Sequence, residues 1–356
     1  MKVAVVGCGG IGGVMAASLT RAGVDVTPVV GNEKVAQAIS RAGLRVRELD
    51  GTEWSVPASR TPVLALSDDE GPFDLAIVAT QNTTLEIALA ATLPHLMPDA
   101  AIVTCQNGLP EDRARSLVGN RVIGCVVGWG ASMVEPGVYQ RTSRGGLQLG
   151  RPTVSGPAPE PIVTLLEAAS QSVLVDDLAG VRWSKLAINC VTTTFGAIGG
   201  APLGKLLSHR SIRRLALEVF AEVAAVAQAS GVHVQPVGGT LEIDKIAITD
   251  AERAMSFGSP SLAYKHSVLM AVGFKYRRLR SSMLYAIERG RPPEIDFLNG
   301  EIVRRGALLG VPTPVNAALV DEVRAIVRQE TRSEIPRLRA IHDQVILGRG
   351  KGRLAA

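Results

Sequence analysis

The chain has 356 residues, a length that predicts two globular domains with cores large enough to need neither disulfides nor a structural metal. Hydrophobic residues make up 46% of it and charged residues 20%, which excludes an intrinsically disordered protein. Because the net charge is +5 and only 4% of the residues are aromatic, the composition favours an anionic small ligand over a nucleic acid.

The spacing of the cysteines and histidines and the length of the apolar runs exclude further classes of protein. The four cysteines form no CxxC pair and the five histidines no HxxxH or HExxH pair, so we predict reduced thiols and no protein-held catalytic metal. Two charge-free runs, 3–20 and 186–204, are too interrupted by glycine to predict a membrane span, and the first lacks a signal-peptide layout. We expect a cytoplasmic protein that binds neither membranes nor nucleic acid.

The first half of the chain alternates short apolar strands with amphipathic helices, a pattern typical of a parallel sheet covered by helices on both faces. A hairpin is predicted around Asp50-Gly51, and turn-rich short strands from about 137 to 175. The predicted strands are 2–6, 24–30, 74–79, 101–105 and 121–127, and the predicted helices are 14–22, 33–42 and 82–93.

The second half is almost entirely helical in its periodicity. Breaks are predicted at 290–293 and 310–312, where Gly and Pro cluster. The predicted helices are 181–195, 210–230, 260–289, 294–309 and 316–330. The fold class predicted is therefore α/β, with an N-terminal Rossmann domain over 1–178, an all-helical domain over 179–347 and a flexible basic tail over 348–356.

A glycine motif lies between the first strand and the first helix. In this Gly7-x-Gly9-x-x-Gly12 pattern, the first glycine allows a tight turn, the second lets the backbone approach a pyrophosphate, and the third lets the helix pack on the strand. The helix N-terminus then supplies N–H groups and a positive dipole end. This context predicts a dinucleotide site, in which Cys8 is small filler and not a nucleophile.

The residues after the second strand decide the cofactor, because they meet the adenosine ribose. No acidic residue ends the strand itself. Asn32 and Lys34 can bind a 2′-phosphate, whereas Glu33 can instead hold a ribose hydroxyl. We predict NADP, with NAD as the alternative.

Polar residues in the helical half are candidates for chemistry. Lys185 and Asn189 are four residues apart and share one helix face, and a lysine in an apolar segment needs a partner or a function. Glu294 follows Pro293, where an acid also favours a helix N-terminus, so capping is its alternative role. The basic run 275–280 is interpreted as a solvated helical face or an interface, with binding of a substrate carboxylate as the alternative.

In these residues the chain resembles the ketopantoate reductase (2-dehydropantoate 2-reductase) family over nearly its whole length. The likeness rests on the N-terminal GxGxxG, on Gln106-Asn107-Gly108, on the RWxKLxxN block at 182–189, and on Ser282-Met283 followed by Glu294-Ile295-Asp296 and Asn299-Gly300. It implies a Rossmann domain followed by a helical domain, and reduction of a 2-keto acid with NADPH.

The resemblance also implies roles for individual residues. Lys185 matches the general acid that protonates the carbonyl oxygen, and Glu294 the carboxylate that positions the substrate and the lysine. Asn189, Ser282 and Thr193 match positions that bind substrate, and Asn107 lies beside the nicotinamide. The glycine motif, the residues after the second strand and the resemblance together predict the cofactor contacts Gly7, Gly9, Gly10, Ile11, Gly12, Asn32, Lys34, Thr80, Asn107 and Gly108.

Four positions depart from the family pattern. Gly31 replaces an arginine, Thr80 a lysine, Thr193 an asparagine and Ala286 an aspartate. Because the catalytic pair is kept and the substrate shell is altered, we expect a related carbonyl compound, larger than ketopantoate or bearing another anion. We also expect a homodimer. Two other hypotheses are an NADP-binding redox sensor without turnover, and an enzyme on this scaffold that reduces imines or oxidises hydroxy acids.

Overall fold

A computed structural model describes residues 1–153, 155–236, 242–255 and 259–348. Apart from Gly348, the tail predicted over 348–356 lies outside the described residues. The chain divides into two compact units, Met1–Leu178 and Ala179–Ala356. The fold class predicted from the sequence, an α/β unit followed by a helical one, is confirmed. Among the described helices none is long and apolar enough to cross a membrane.

The N-terminal unit contains a large sheet and a small one, built from the described strands. The strands are β1 (Lys2–Val6), β2 (Asp25–Val29), β3 (Leu44–Arg47), β4 (Glu53–Val56), β5 (Phe73–Val78), β6 (Leu96–Thr104), β7 (Val122–Val127), β8 (Ala131–Glu135), β9 (Val138–Arg141), β10 (Leu147–Gly150) and β11 (Ser172–Leu174). The helices are α1 (Gly10–Arg21), α2 (Glu33–Ala42), α3 (Leu85–Thr92), α4 (Pro110–Val118) and α5 (Glu160–Leu166).

The large sheet has the order β11-β10-β7-β6-β5-β1-β2. In this sheet β2, β1, β5, β6 and β7 run parallel, and β10 pairs antiparallel with β7. Strand β1 is buried on both faces, with Val3 and Val5 in the core beneath α1 and Ala4 and Val6 in the core on the other side. The chain order reverses between β1 and β5, and in open α/β sheets ligands bind outside the carboxyl ends of the strands at such a point.

The small sheet, β4-β3-β9-β8, packs against α1 and explains two of its glycines. A Cβ atom on Gly10 would lie 2.2 Å from the Ala131 carbonyl oxygen, and one on Gly13 would lie 2.1 Å from the Tyr139 ring. Gly10 therefore lacks a side chain because β8 crosses it, a reason that is separate from its predicted cofactor contact.

The C-terminal unit is helical throughout the part that the structure describes. Its helices are α6 (Leu178–Gly199), α7 (Leu203–Leu207), α8 (Arg210–Ala229), α9 (Ile243–Ile246), α10 (Asp250–Ala254), α11 (Pro260–Lys275), α12 (Ser282–Glu288), α13 (Asn299–Leu309), α14 (Pro314–Val327) and α15 (Ile335–His342). A 3₁₀ turn covers Ile295–Phe297 and a π turn Asp343–Leu347.

The sequence predictions of local structure failed at several helices. The helix predicted over 260–289 is two helices, because Ser281 caps a new one by accepting a hydrogen bond from the Leu284 N–H at 3.1 Å. The basic run 275–280 consequently lies mainly in the connection and not on a helical face. Six short helices, α4, α5, α7, α9, α10 and α15, were missed, and three of them, α4, α5 and α15, carry a proline in their first turn.

Candidate functional site

The glycine loop after β1 has the three geometries that a dinucleotide loop needs. Gly7 has a φ of +91°, and a Cβ atom there would lie 2.8 Å from the Thr80 side chain. A Cβ atom on Gly12 would lie 2.3 Å from the Gly7 carbonyl oxygen, so this glycine permits the contact of helix with loop. At Gly9, in contrast, a Cβ atom would meet nothing within 4 Å. The chain's own packing does not require Gly9, which leaves that space open for a ligand.

The first turn of α1 presents free hydrogen-bond donors at this loop. Within the described residues, the backbone N–H groups of Gly10, Ile11 and Gly12 have no acceptor, as expected of a helix start. The N–H groups of Gly7 and Cys8 are used, because both donate to the Val29 carbonyl oxygen at 3.0 and 3.1 Å. Three aligned donors at the positive end of a helix fit a phosphate.

Cys8 is buried inside the loop and is not activated. Its thiol donates to the Val5 carbonyl oxygen at 3.5 Å, and burial raises the pKa of the thiol to about 12. A thiol with so high a pKa has almost no thiolate at neutral pH and is a poor nucleophile.

The ends of β5 and β6 meet the glycine loop. The Gln106 side-chain amide donates to the Val78 and Thr80 carbonyl oxygens at 3.1 and 3.2 Å, and so joins the two strand ends. The Asn82 side chain donates to the Asn107 carbonyl oxygen at 3.0 Å. Thr80, Asn107 and Gly108, predicted from separate parts of the sequence, therefore follow neighbouring strands at the edge that carries Gly7.

The residues after β2 start α2 and lie on the surface. Asn32 caps this helix, because its Oδ1 atom accepts the Val35 N–H at 3.1 Å. Glu33 accepts a hydrogen bond from Gln37 at 3.1 Å, along the same helix. Lys34 is exposed and makes no ion pair with any residue that the structure describes. The lysine charge is thus available to a ligand at this end of the sheet.

In the helical unit, α6 carries several polar groups without partners among the described residues, and two of them, Lys185 and Asn189, share one face. Lys185 is partly buried and has no hydrogen bond or ion pair to any described residue. Burial lowers its pKa, and the charge of Arg182 lowers it further. One turn on, the Asn189 side chain is only 6% exposed, and its Nδ2 atom has no acceptor among the described residues. A buried donor without an acceptor is available to a ligand.

Two other segments approach the same helix. The Ser281 hydroxyl donates to the Thr193 carbonyl oxygen at 2.5 Å, which holds the start of α12, with Ser282 exposed beside it, against α6. Asn299 donates to the Cys190 carbonyl oxygen at 3.2 Å and accepts from the Thr194 hydroxyl at 2.5 Å. These bonds hold the segment that follows Glu294 against the part of α6 that carries Asn189.

Glu294 itself precedes the 3₁₀ turn Ile295–Phe297 and makes no side-chain capping bond to it. Glu294 therefore occupies the capping position of this turn, and a capping role by a side-chain hydrogen bond is not seen. The structure also contains no ion pair between Glu294 and Lys185, since Lys185 has none with any described residue. Glu294 is partly buried, in the loop that leads into α13.

A buried carboxylate behind the site was missed by sequence reasoning. Glu222 on α8 accepts the backbone N–H groups of Val315 and Asn316 at 2.8 and 2.9 Å and the Asn316 side chain at 2.7 Å. Asn316 in turn accepts from Asn299 at 2.9 Å. The only sequence signal for this network was Asn299, which belongs to the Asn299-Gly300 motif but was assigned no function there.

Two family models match the chain over most of its length. The family model described as "Ketopantoate reductase PanE/ApbA" matches residues 3–153, and the model "Ketopantoate reductase PanE/ApbA C terminal" matches residues 177–327. The chain belongs to the ketopantoate reductase family. Its family membership, predicted from the motifs, is confirmed, and the chain is an oxidoreductase of the ketopantoate reductase type.

Ketopantoate reductases resemble the chain over most of its length. The 2-dehydropantoate 2-reductase of Mesorhizobium japonicum is 28% identical, covering 92% of this chain and 97% of its own. A PanE/ApbA family ketopantoate reductase from Ralstonia eutropha has a TM-score of 0.76 at 28% identity, covering 93% of this chain and 99% of its own. A D-mandelate dehydrogenase, solved with NADH and anilino(oxo)acetate, shares the fold with a TM-score of 0.75 at 20% identity over 92% of this chain and 99% of its own.

Proposed function

We propose that this ketopantoate reductase family member reduces a 2-keto acid to the 2-hydroxy acid with NADPH, and that Lys185 is the general acid. The observation that carries the proposal is the pair of unpartnered donors on α6, the Lys185 amine and the Asn189 side-chain amide. A 2-keto acid offers the carbonyl and carboxylate oxygens that such donors need. Such a ligand would satisfy two polar groups of one helix face that the described residues leave without partners.

The dinucleotide is assigned to the N-terminal unit. The open space at Gly9 and the free N–H groups of Gly10, Ile11 and Gly12 fit a pyrophosphate. When bound, the nicotinamide supplies a hydride to the carbonyl carbon. Thr80, Asn107 and Gly108 are assigned to the nicotinamide end of this site, and Asn32 and Lys34 to the ribose phosphate end.

The residues of the helical unit stabilise the negative charge on the carbonyl oxygen and supply its proton. As the carbonyl oxygen becomes negative, the Lys185 ammonium donates its proton to it, and water later returns a proton to the amine. Asn189, Ser282 and Thr193 bind the substrate. Glu294 positions the substrate and the lysine, a role that needs substrate present, since no ion pair joins the two side chains without it.

The altered shell points to a substrate other than ketopantoate. Thr193 offers a shorter side chain than the asparagine of the family pattern, which leaves more room at a position assigned to the substrate. We therefore assign a related 2-keto acid that is larger than ketopantoate or bears another anion.

The proposal is tested by NADPH oxidation with a panel of 2-keto acids, with and without added amines. We expect turnover without amine, and the best substrate to be a keto acid other than ketopantoate. Turnover that requires an amine would identify an imine reductase. NADPH binding without turnover on any member of the panel would support the redox sensor and contradict the enzyme.

The cofactor assignment makes a separate prediction. Because Lys34 is exposed without an ion pair and the Glu33 carboxylate is bonded to Gln37, we expect NADPH to bind more tightly than NADH. Replacing Lys34 with Ala should weaken NADPH binding about 10-fold and leave NADH binding nearly unchanged, since one charged hydrogen bond contributes about 1.4 kcal/mol or more. Fluorescence titration with both cofactors measures the change. Tighter NADH binding in the parent protein would instead assign Glu33 to the ribose.

A further inference from the structure

A cavity in the N-terminal unit lies at the far end of α1 from the glycine loop. Its volume is about 580 Å³, and it is lined by the end of α1, the β3–β4 hairpin, the loop between β9 and β10, and the segment between α5 and β11. Because α1 has 12 residues, its two ends lie about 18 Å apart. The cavity is therefore separate from the donors assigned to the pyrophosphate, and its volume is in the range of sites that bind small molecules.

Arg141 is a fixed cation in the wall of this cavity. Its side chain is 13% exposed, and its Cζ atom lies 4.4 Å from the centroid of the Trp129 ring. It forms an ion pair with Glu48 at 3.2 Å and donates from Nη2 to the Ala169 carbonyl oxygen. Its Nη1 atom donates to no residue that the structure describes, and is available to a ligand. A guanidinium that is held in this way is preorganised to bind an oxyanion.

Two further arginines line the cavity, and neither forms an ion pair with a described residue. Arg21, in the last turn of α1, lies 4.7 Å from the centroid of the Trp54 ring. Arg144 is exposed on the loop that follows β9. Because both side chains reach the cavity from its rim, their charges can turn toward a bound anion.

The two carboxylates of the cavity do not cancel these charges. Glu48 is shared between Arg141 and the Trp54 indole N–H, which donates to it at 2.9 Å. Asp50 accepts from the Thr52 N–H at 2.9 Å and from the Thr52 hydroxyl at 2.7 Å. Three arginines against two acids leave a net positive charge in the wall. The cavity therefore favours an anion.

Much of the remaining wall is apolar. It is formed by Leu49 and Trp54 on the hairpin, Ala22 at the end of α1, and Ala168 and Ala169 after α5. Ligand sites typically combine such apolar walls with a few polar groups that fix the orientation of the ligand. An inorganic ion would contact the arginines and leave these walls uncovered, so the cavity fits an anion that also carries a hydrocarbon part.

We propose that this cavity is a second ligand site, which binds a small organic acid. Its oxyanion is held by Arg141 and Arg144, and its apolar part lies against Leu49 and Trp54. The oxyanion is a carboxylate or a phosphate, because guanidinium groups bind both through paired N–H groups. This ligand binds in addition to the dinucleotide and the keto acid of the proposed reaction, and away from the glycine loop.

Isothermal titration calorimetry of the full chain tests the site with three probes of similar shape: benzoate, phenyl phosphate and benzyl alcohol. NADPH is present at saturation, so that the dinucleotide site is filled. We expect at least one of the two anions to bind with a Kd of about 1 mM or below, which is reasonable for a ligand of this size. Benzyl alcohol should bind at least about 10-fold more weakly, because it lacks the charge. The anion that binds more tightly identifies the oxyanion.

Three variants locate the bound probe. Arg144→Glu should weaken binding of the preferred anion by at least about 10-fold, because it removes a charged donor and adds a repelling carboxylate. Arg151→Glu is the matched control, since Arg151 is exposed in the same unit, has no ion pair with a described residue and lies outside the cavity wall. Asn189→Ala changes only the site assigned to the keto acid and should leave binding of the probe at the parental value.

Four outcomes would overturn the proposal. They are the absence of binding by both anions, equal binding of benzyl alcohol, equal losses in Arg144→Glu and Arg151→Glu, and binding that is lost in Asn189→Ala but kept in Arg144→Glu. The last result would place the probe in the site assigned to the keto acid. Failure of the proposed reaction is a separate result, because the KM for the keto acid in Arg144→Glu is expected to equal that of the parent protein.

Discussion

Replacing Lys185 with Met is expected to lower kcat for the 2-keto acid by about 10²- to 10⁴-fold, the range that general acid catalysis contributes. The methionine fills similar space in the partly buried site and removes the amine that carries the proton. NADPH affinity should change little, because the loop assigned to the pyrophosphate lies in the other unit. Stopped-flow absorbance measures turnover, and a fluorescence titration measures NADPH binding. Near-parental kcat in this variant would contradict the mechanism.

The role of Lys185 as an acid also predicts the direction in which the reduction rate changes with pH. Burial lowers the pKa of Lys185. Its ammonium form is therefore lost at a lower pH than that of a free lysine, which titrates at about 10.4. Reduction needs the proton, and its rate should therefore fall as the pH rises through the lowered pKa. Oxidation of the hydroxy acid needs the neutral amine and should rise over the same interval. In the Lys185→Met variant this limb of both profiles should disappear.

Two neighbouring variants separate chemistry from binding. Asn189→Ala should raise the KM for the keto acid more than it changes NADPH affinity, because it removes a buried donor that has no protein acceptor. Glu294→Gln should lower kcat by less than Lys185→Met, since the amide keeps the shape and loses the charge. A Glu294→Gln variant as inactive as Lys185→Met would instead give Glu294 a direct part in proton transfer.

Much of the N-terminal unit was predictable because its signals are local. The period of apolar residues predicted β1, β2, β5 and β7 to within one or two residues, and the spacing of Gly7, Gly9 and Gly12 is a property of one loop. The small sheet was harder, because β3 pairs with β9 across about ninety residues of chain. Its consequence, the requirement for glycine at 10 and 13, cannot be derived from local pattern.

The helical unit shows a similar division. The pair Lys185 and Asn189 was visible because the two residues lie one turn apart on one helix. The break between α11 and α12 was not, because its cause is a serine whose hydroxyl bonds a distant carbonyl on α6. The role of Glu222 was also hidden, since an acidic residue in the middle of an amphipathic helix is normally solvated. Only the folded chain places it against the start of α14.

Replacing Glu222 with Ala is the prediction with the largest expected effect on stability. The carboxylate is 6% exposed and accepts three N–H groups, two from the backbone at the start of α14 and one from Asn316. Without it these buried donors keep their desolvation cost and lose their acceptor, so the free energy of unfolding should fall by about 3 kcal/mol. Urea denaturation measures the loss. Glu330→Ala, at an exposed ion pair with Arg328, is the control and should leave the urea midpoint near that of the parent.

The same variant should also affect activity, because the network ends at α6. Glu222 orients Asn316, Asn316 accepts from Asn299, and Asn299 donates to the Cys190 carbonyl oxygen beside Asn189. Weakening this hydrogen-bond network should raise the KM for the keto acid in the folded Glu222→Ala protein, while NADPH affinity stays at the parental value. Glu222→Gln keeps one acceptor and should give an intermediate loss of both stability and substrate affinity. If Glu222→Ala lost stability with an unchanged KM, the network would support the helices without positioning the residues that bind substrate.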